Sequence, residues 1–338
     1  MSLLAFLHRI VASESLSPQD AEQAMGIILN GDASTPQVAA FLVALRMKGE
    51  TADEIYGFAR AMRRQSVKVN PGLGPEPLVD TCGTGGDGLG TFNISTVSAF
   101  VVAGAGVRVA KHGNRSISSR CGSADVLEKL CVSLALSPDE MAAAIREVGI
   151  GFLFAPALHP AVKHAQPARL ELKMRTVFNL LGPLANPAGA SAQLVGAPSR
   201  QAAALMASAL AKLGCERGFV VHGSDGLDEI TTTGSTSVWE VRGGEVQEMA
   251  LTPEDFGVPR ASLDQLAGGT ADENARILES ILGGEKGARR DIVLVNSAAA
   301  LSVAGKAADL RAGVRLATDS LDSGAAAAKL DKLRQFRR

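Results

Sequence analysis

The 338-residue chain is 46% hydrophobic and 20% charged, with a formal net charge of −1. Such a balance describes an ordinary globular protein and argues against a dedicated nucleic-acid binder, which would carry a basic excess. The length exceeds the limit of about 250–300 residues for a single core, so two domains are expected, and no disulfide or metal staple is needed to form them. No apolar run approaches the roughly 18 residues that span a bilayer. The richest stretch, Ala99 to Ala110, is broken by Gly104, Gly106 and Arg108. Cys82, Cys121, Cys131 and Cys215 form no CxxC pair and fit no zinc spacing. They read as reduced thiols of a cytoplasmic protein with neither a membrane nor a nucleic-acid partner.

The N-terminus has an apolar start but no leading basic region, so Leu3, Leu4, Leu7 and Ile10 read as one helix face. Ser17-Pro18 with Asp20 signals a helix start, and Gly31 its stop. Thr35-Pro36 opens the next helix and Gly49 closes it, while Thr51 to Glu54 is a capping box for another. Apolar residues recur at helical spacing through Val38, Phe41, Leu42 and Leu45, then Ile55, Phe58, Ala59 and Met62. The first sixty-odd residues therefore predict a small all-helical domain, followed by a Pro/Gly-rich linker at 70–77.

From Leu78 the pattern alternates between strand and helix. Expected strands are Leu78–Asp80, Val107–Ala110, Gly151–Phe154, Gln193–Gly196, Gly218–Val221 and Asp291–Val295. Val238–Arg242 and Glu245–Leu251 flank Gly243-Gly244 as a hairpin. Expected helices include Val97–Ala103, Asp125–Leu130 with Ser123 as N-cap, His159–Leu172 and Ser199–Leu213, and a capping box at Ser137 to Glu140 opens a further one. The fold class is α/β: a large domain with a central, largely parallel sheet, behind the helical domain.

Two loops carry the chemistry. Gly83, Gly85, Gly86 and Gly88 follow a short strand, and Asn93, Ser95 and Thr96 precede an apolar helix. Glycines let backbone N–H groups approach an anion, and a helix start adds free donors, so the segment reads as a phosphate cradle. It lacks the Lys-Ser/Thr ending of a Walker A loop. A dinucleotide fingerprint matches at Gly83, Gly85 and Gly88, but the acidic ribose ligand expected about 20 residues on is missing. A glycine turn without a ligand is the plain alternative. In the second loop Lys111, His112, Arg115 and Arg120 alternate with Asn114, Ser116, Ser118, Ser119 and Ser123. Both loops leave strand ends, so they should share one edge of the sheet and make an anion-selective pocket. A solvated basic loop is the alternative there.

DTCGTGGDGLGTFNIST followed by AKHGNRSISSRCGSADVLEKL resembles the anthranilate phosphoribosyltransferase family. The likeness continues through VGIGFLFAPALHPAVKHAQPARLELKMRTVFNLLGPLANP, VVHGSDGLDEIT and RRDIVLVNSAAAL, in order and over nearly the whole chain. The resemblance implies transfer of a phosphoribosyl group from phosphoribosyl diphosphate (PRPP) to the amine of anthranilate in tryptophan biosynthesis, with two Mg²⁺ per active site. It implies PRPP contacts at Gly83, Gly86, Asp87 and Thr91, with Asn93, Ile94, Ser95 and Thr96 holding the phosphates. Lys111, His112, Gly113, Asn114, Arg115, Ser116, Ile117, Ser118, Ser119 and Ser123 would form the other wall. Ser95, Asp228 and Glu229 would ligate the metal; Gly83, Asn114 and Arg169 would meet anthranilate, with Arg175 a second candidate. His112 suits substrate orientation and a structural hydrogen bond equally.

The resemblance also implies a small helical domain of residues 1–66 joined by roughly 159–181, and a large domain of 67–158 with 182–338. The active site would lie between them, with a closing hinge. Leu3, Leu7 and Ile10 are expected to be exposed and to form a homodimer interface. Arg120 stands where many relatives carry lysine, a change that keeps the character of the loop. A nucleoside phosphorylase on the same scaffold and a non-enzymatic phosphometabolite sensor are the rivals, with a dehydrogenase more distant. Asp228-Glu229 for magnesium and Asn114 with Arg169 for a carboxylate argue against the first, the full set of metal and acceptor residues against the second, and the missing ribose-binding acid against the third.

Overall fold

The computed structural model describes residues 2–116 and 121–336, so the calls on Ile117, Ser118, Ser119 and Arg120 lie outside the described residues. Four helices open the chain, at Leu3–Val11, Pro18–Asn30, Thr35–Lys48 and Ala52–Gln65. Their limits follow the punctuation. Ser17 Oγ accepts from the Asp20 N–H at 3.1 Å, and Gly31 takes a left-handed φ of 81°. Thr51 and Glu54 cap reciprocally at 3.2 and 2.8 Å. Phe6, Phe41 and Phe58 fill the core between these helices, Phe41 and Phe58 meeting edge to face at 6.2 Å. Leu3 and Ile10 lie in that core, each 1% exposed. This corrects their assignment to an external face: Leu7 is part-buried against the same core, and Leu4, grouped with them on one face, is exposed together with Val11.

A seven-stranded sheet follows. Its strands are β1 (Leu78–Gly83), β2 (Arg108–Gly113), β3 (Ile150–Phe154), β4 (Ala192–Gly196), β5 (Arg217–Gly223), β6 (Thr236–Arg242) and β7 (Glu245–Leu251). The order is β3-β2-β1-β4-β5-β6-β7, parallel except for the β5–β6 and β6–β7 pairings. β1 and β2 run three residues beyond their expected ends because the parallel register continues: Gly83 lies opposite Gly196, and Gly113 opposite Phe154. Lys111, His112 and Gly113 therefore belong to a strand, and the basic loop proper begins at Asn114.

Asp291–Val295 is no strand. It sits inside the Ala288–Val303 helix, with Ile292, Val293, Leu294 and Val295 all buried. A helix buried on every side shows the same apolar run as an inner strand, and the length of the run, continued by the small residues that follow, decides for helix. Ser123 is not an N-cap either. Gly122 holds that place, and its N–H donates to Asp125 Oδ2 at 2.9 Å, so Ser123 is the first helical residue. The helix after the glycine loop begins at Ile94, and His159–Leu172 divides into a 3₁₀ turn (Pro160–His164) and a helix (Gln166–Leu172). The 3₁₀ turn, the Gln166–Leu172 helix and the Val177–Leu181 helix pack against the N-terminal helices. Among the described residues no helix is long and apolar enough to cross a membrane.

Candidate active site

A cavity of about 320 Å³ opens at the carboxyl edge of the sheet, where the strand order reverses between β1 and β4. It is lined by the glycine loop, the start of the Ile94–Gly104 helix, the end of β2 with residues 114–116, and Asp228-Glu229 beyond β5. Arg169, Phe178, Asn179, Gly182 and Pro183 close the side toward the helical region. Every described residue singled out from the sequence as a substrate or metal contact lies on this wall, apart from the second candidate Arg175.

Glycine is required where the carboxylate loop crosses the ends of β1 and β4. A Cβ on Gly83 would lie 2.6 Å from Asp228 Oδ2, and one on Gly196 only 1.6 Å from the Asp228 backbone oxygen. The glycine loop itself uses positive φ at Gly85 (66°), Gly86 (68°) and Gly88 (79°), which turns its peptides toward the cavity. The Gly85 N–H donates to Asp228 Oδ2 at 2.8 Å, and the Ser95 N–H donates to Glu229 Oε1 at 3.2 Å. One donor at the helix start thus already carries a carboxylate. Among the described residues the buried hydroxyls of Thr84 and Thr96 have no partner, so two polar atoms remain for a ligand's oxygens.

Asp228 and Glu229 are both held well above the ordinary carboxylate range. For each, burial is the largest cause; Asp87 adds like-charge repulsion to Asp228, and Asp228 adds it to Glu229. Among the described residues their carboxylates accept from backbone N–H groups and form no ion pair. Arg175 and Lys111 offset the pair's charge only in part, and a buried acidic pair with no ion-pair partner among the described residues fits a divalent cation. No cluster of three or more His, Cys, Asp or Glu forms a closed cage among the described residues. Magnesium, which keeps several waters, needs none. Ser95 Oγ stands beside the pair and accepts from Lys111 Nζ at 3.3 Å.

The basic residues divide by role. Lys111 is 3% exposed and also donates to the Thr81 carbonyl, so it lies beneath the site as a fixed positive charge. The Arg115 guanidinium reaches Glu128 and Asp125 at 2.8 and 3.1 Å, which raises it above the ordinary arginine value. It is neutralised by two carboxylates of the following Ser123–Lys129 helix. Arg169 is half-buried, lies 5.1 Å from the Phe178 ring, is lowered by desolvation, and has no ion-pair partner among the described residues. A guanidinium so placed suits a planar carboxylate. Arg175 does not line the cavity: its guanidinium donates to the Gly85 carbonyl. It therefore drops out as an acceptor ligand.

His112 Nδ1 bonds the Gly182 carbonyl at 3.1 Å, and its ring lies 5.1 Å from that of His159. Burial pushes His112 down to about 3 and His159 down to about 4, from an ordinary 6.5. Between those values the unfolded chain binds protons that the folded one refuses. Stability is therefore expected to fall as pH drops below 6.5, by up to about 1.4 kcal/mol per histidine per pH unit. The raised carboxyl pair has the opposite slope, so the test compares variant with parent. Melting temperature followed from about pH 7 to about pH 5 should decline less steeply in His159→Gln. Equal slopes would refute the contribution.

Three contributors escaped the sequence reading. Asn274 donates to Asn93 Oδ1 at 3.0 Å across 181 positions. Asn296, buried in the Ala288–Val303 helix, brackets the Ile230 peptide groups at 3.0 and 2.9 Å and so fixes the residue after Glu229. Phe178 forms the apolar wall beside Arg169. A lone asparagine or phenylalanine gives no local signal; Asn296 and Phe178 fall inside the stretches RRDIVLVNSAAAL and RTVFNLLGPLANP, but nothing in those strings assigns them a part.

Residues 4–66 match the model of the glycosyl transferase family helical bundle domain, and residues 75–327 that of the glycosyl transferase family a/b domain. An anthranilate phosphoribosyltransferase of Solibacter usitatus is 62% identical, covering 99% of each chain. The chain belongs to the anthranilate phosphoribosyltransferase family. The crystal structure of the Thermus thermophilus anthranilate phosphoribosyltransferase superposes with a TM-score of 0.93 at 45% identity, over 99% of each chain. That of the Saccharomyces cerevisiae anthranilate phosphoribosyltransferase in complex with PRPP and Mg superposes at 0.89 and 29% identity, over 98% of this chain and 97% of the other. The helical N-terminal domain and mostly parallel sheet are those of this family of glycosyltransferase enzymes.

Proposed function

We propose that the chain transfers the phosphoribosyl group of PRPP to the amine of anthranilate, giving N-(5-phosphoribosyl)anthranilate and diphosphate, a step of tryptophan biosynthesis. The observation that carries this reading is a single cavity with three chemically distinct walls. One presents the glycine loop and helix start with the unpartnered hydroxyls of Thr84 and Thr96, one a buried carboxylate pair held above its ordinary range, and one a guanidinium with no ion-pair partner among the described residues.

Gly83, Gly86, Asp87 and Thr91 contact PRPP, Asn93, Ile94, Ser95 and Thr96 hold its phosphates, and residues 111–119 with Ser123 form the facing wall. Asp228, Glu229 and Ser95 hold magnesium, which when bound offsets the charge of the diphosphate. A count of two ions is supported by the separate settings of the two carboxylates, one facing Gly85 and the other Ser95. Arg169, with Asn114 and Gly83, receives the carboxylate of anthranilate. The neutral arylamine then lies near the anomeric carbon. The bond from that carbon to diphosphate breaks, the C–N bond forms, and the amine releases its proton. Oriented N–H groups stabilise the leaving charge, and positioning supplies much of the remaining acceleration.

The two-domain division (1–66 with 159–181, against 67–158 with 182–338) belongs to this proposal. It is supported by the packing of the Gln166–Leu172 and Val177–Leu181 helices on the N-terminal ones. So do a cytoplasmic location and a homodimer through the helical domain, for which the exposed Leu4, Val11 and Met47 are the available apolar surface. Sedimentation across a concentration series tests the dimer.

Anthranilate fluorescence, followed with PRPP and Mg²⁺, tests the function. A PRPP-dependent loss abolished by chelator is expected; no loss, despite calorimetric binding of PRPP, would remove the acceptor assignment. In the same assay Arg169→Ala should raise the KM for anthranilate by roughly 10²-fold, the worth of a charge-assisted hydrogen bond, and leave that for PRPP within about twofold. A change confined to PRPP would overturn the role of Arg169.

A further inference from the structure

We propose that Arg175 is a positioning residue that ties the acceptor side of the cavity to the carboxylate side through the Gly85 peptide groups. Arg175 precedes the Val177–Leu181 helix, in the segment packed against the N-terminal helices, and Arg46 donates to its carbonyl at 3.2 Å. Its guanidinium crosses to the glycine loop and donates to the Gly85 carbonyl. The Gly85 N–H in turn donates to Asp228 Oδ2 at 2.8 Å. Both backbone groups of one glycine are thereby taken, its C=O by a cation and its N–H by an anion. A left-handed φ of 66° is what lets the two face opposite partners.

Alternative duties for this arginine do not match the contacts. Among the described residues it forms no ion pair, its charge reaches Asp228 only as a minor influence that favours the ionised carboxyl, and its guanidinium lies outside the cavity wall that holds Arg169. A hydrogen bond from a charged donor is stronger than a neutral one, and a glycine loop has little else to fix its shape. Removing the guanidinium frees the Gly85 peptide to rotate, and Asp228 loses a fixed N–H donor. The acceptor wall at Arg169 and Phe178 stays where its own helices hold it. The effect should fall on PRPP and magnesium rather than on anthranilate, although Arg175 comes from the acceptor side of the molecule.

The inference rests on the phosphoribosyl-transfer reading, so binding and turnover are measured separately on the full chain. Calorimetric titration with PRPP and Mg²⁺ should show Arg175→Ala weakened by on the order of tenfold, with Arg175→Lys recovering most of the loss because it keeps a charged donor. In steady-state assays Arg175→Ala should raise the KM for PRPP and the half-saturating Mg²⁺ by a similar factor, and leave the KM for anthranilate within about twofold. A rise confined to anthranilate would make Arg175 an acceptor ligand and overturn the proposal. So would unchanged PRPP affinity, or a fall in melting temperature with unchanged binding. If the parent binds PRPP but turns over no anthranilate, the acceptor reading fails, and a weakened Arg175→Ala still supports the tie.

Discussion

Glu229→Gln should lower turnover by roughly 10²–10³-fold while raising the melting temperature of the metal-free protein. The two effects come from one charge. Glutamine keeps the shape and leaves a carbonyl oxygen to accept from the Ser95 N–H, now 3.2 Å from Glu229 Oε1. It removes an anion that burial and Asp228 both disfavour. In the folded state that carboxyl binds its proton more tightly than in the unfolded one. Metal-free stability therefore declines as pH rises above the ordinary value of 4.5, and the amide abolishes this slope. Function asks for the opposite, since magnesium needs the ionised oxygen. Added Mg²⁺ should thus raise the melting temperature of the parent and not of Glu229→Gln. Asp228→Asn should follow the same pattern. Full activity in the double variant would remove both residues from the metal site.

Gly196→Ala is the second severe change. Its Cβ would lie 1.6 Å from the Asp228 carbonyl oxygen, a distance at which the backbone must move. Neither partner yields easily: Gly196 is in register between Gly83 and Val221 in the middle of the sheet, and Asp228 leads into a peptide bracketed by Asn296. Overpacking of this kind costs about 1–3 kcal/mol, and a displacement near 1 Å of a catalytic loop costs about 10² in rate. Gly26→Ala is the control. Nothing lies within 4 Å of its added Cβ, and a helix interior gains up to about 1 kcal/mol from alanine. A Gly196→Ala protein with the parent's melting temperature and kcat/KM would contradict the crossing of the carboxylate loop over β4.

What the sequence disclosed was local. Caps at Ser17, Thr51 and Ser137 mark their helices because each cap closes within four residues. The glycine loop, the basic segment and Asp228-Glu229 are short strings whose chemistry shows without partners. What stayed hidden depends on distant neighbours. Leu3 and Ile10 read correctly as one face, yet whether that face meets solvent or Phe41 is decided by the helices folded over it. The buried run at Ile292 to Val295 has no polar side to reveal its period. Arg115 and Arg169 look alike as letters; one is neutralised by Glu128 and Asp125, and the other is left for a ligand.

The position of β1 bears on how the chain reaches its native state. It lies at the heart of the sheet, yet it is the first strand in sequence, and Val79 must wait for Ala192 before its second side is covered. Gly85 receives its carboxylate partner only when Asp228 arrives. Parallel closures over such spans are slow, because chain entropy is lost before contacts accumulate. On the ribosome the N-terminal helices can pack early, whereas the glycine loop stays without its anchors until β4, β5 and the segment after them have emerged. The ability to bind a phosphorylated sugar should therefore appear late and all at once during synthesis.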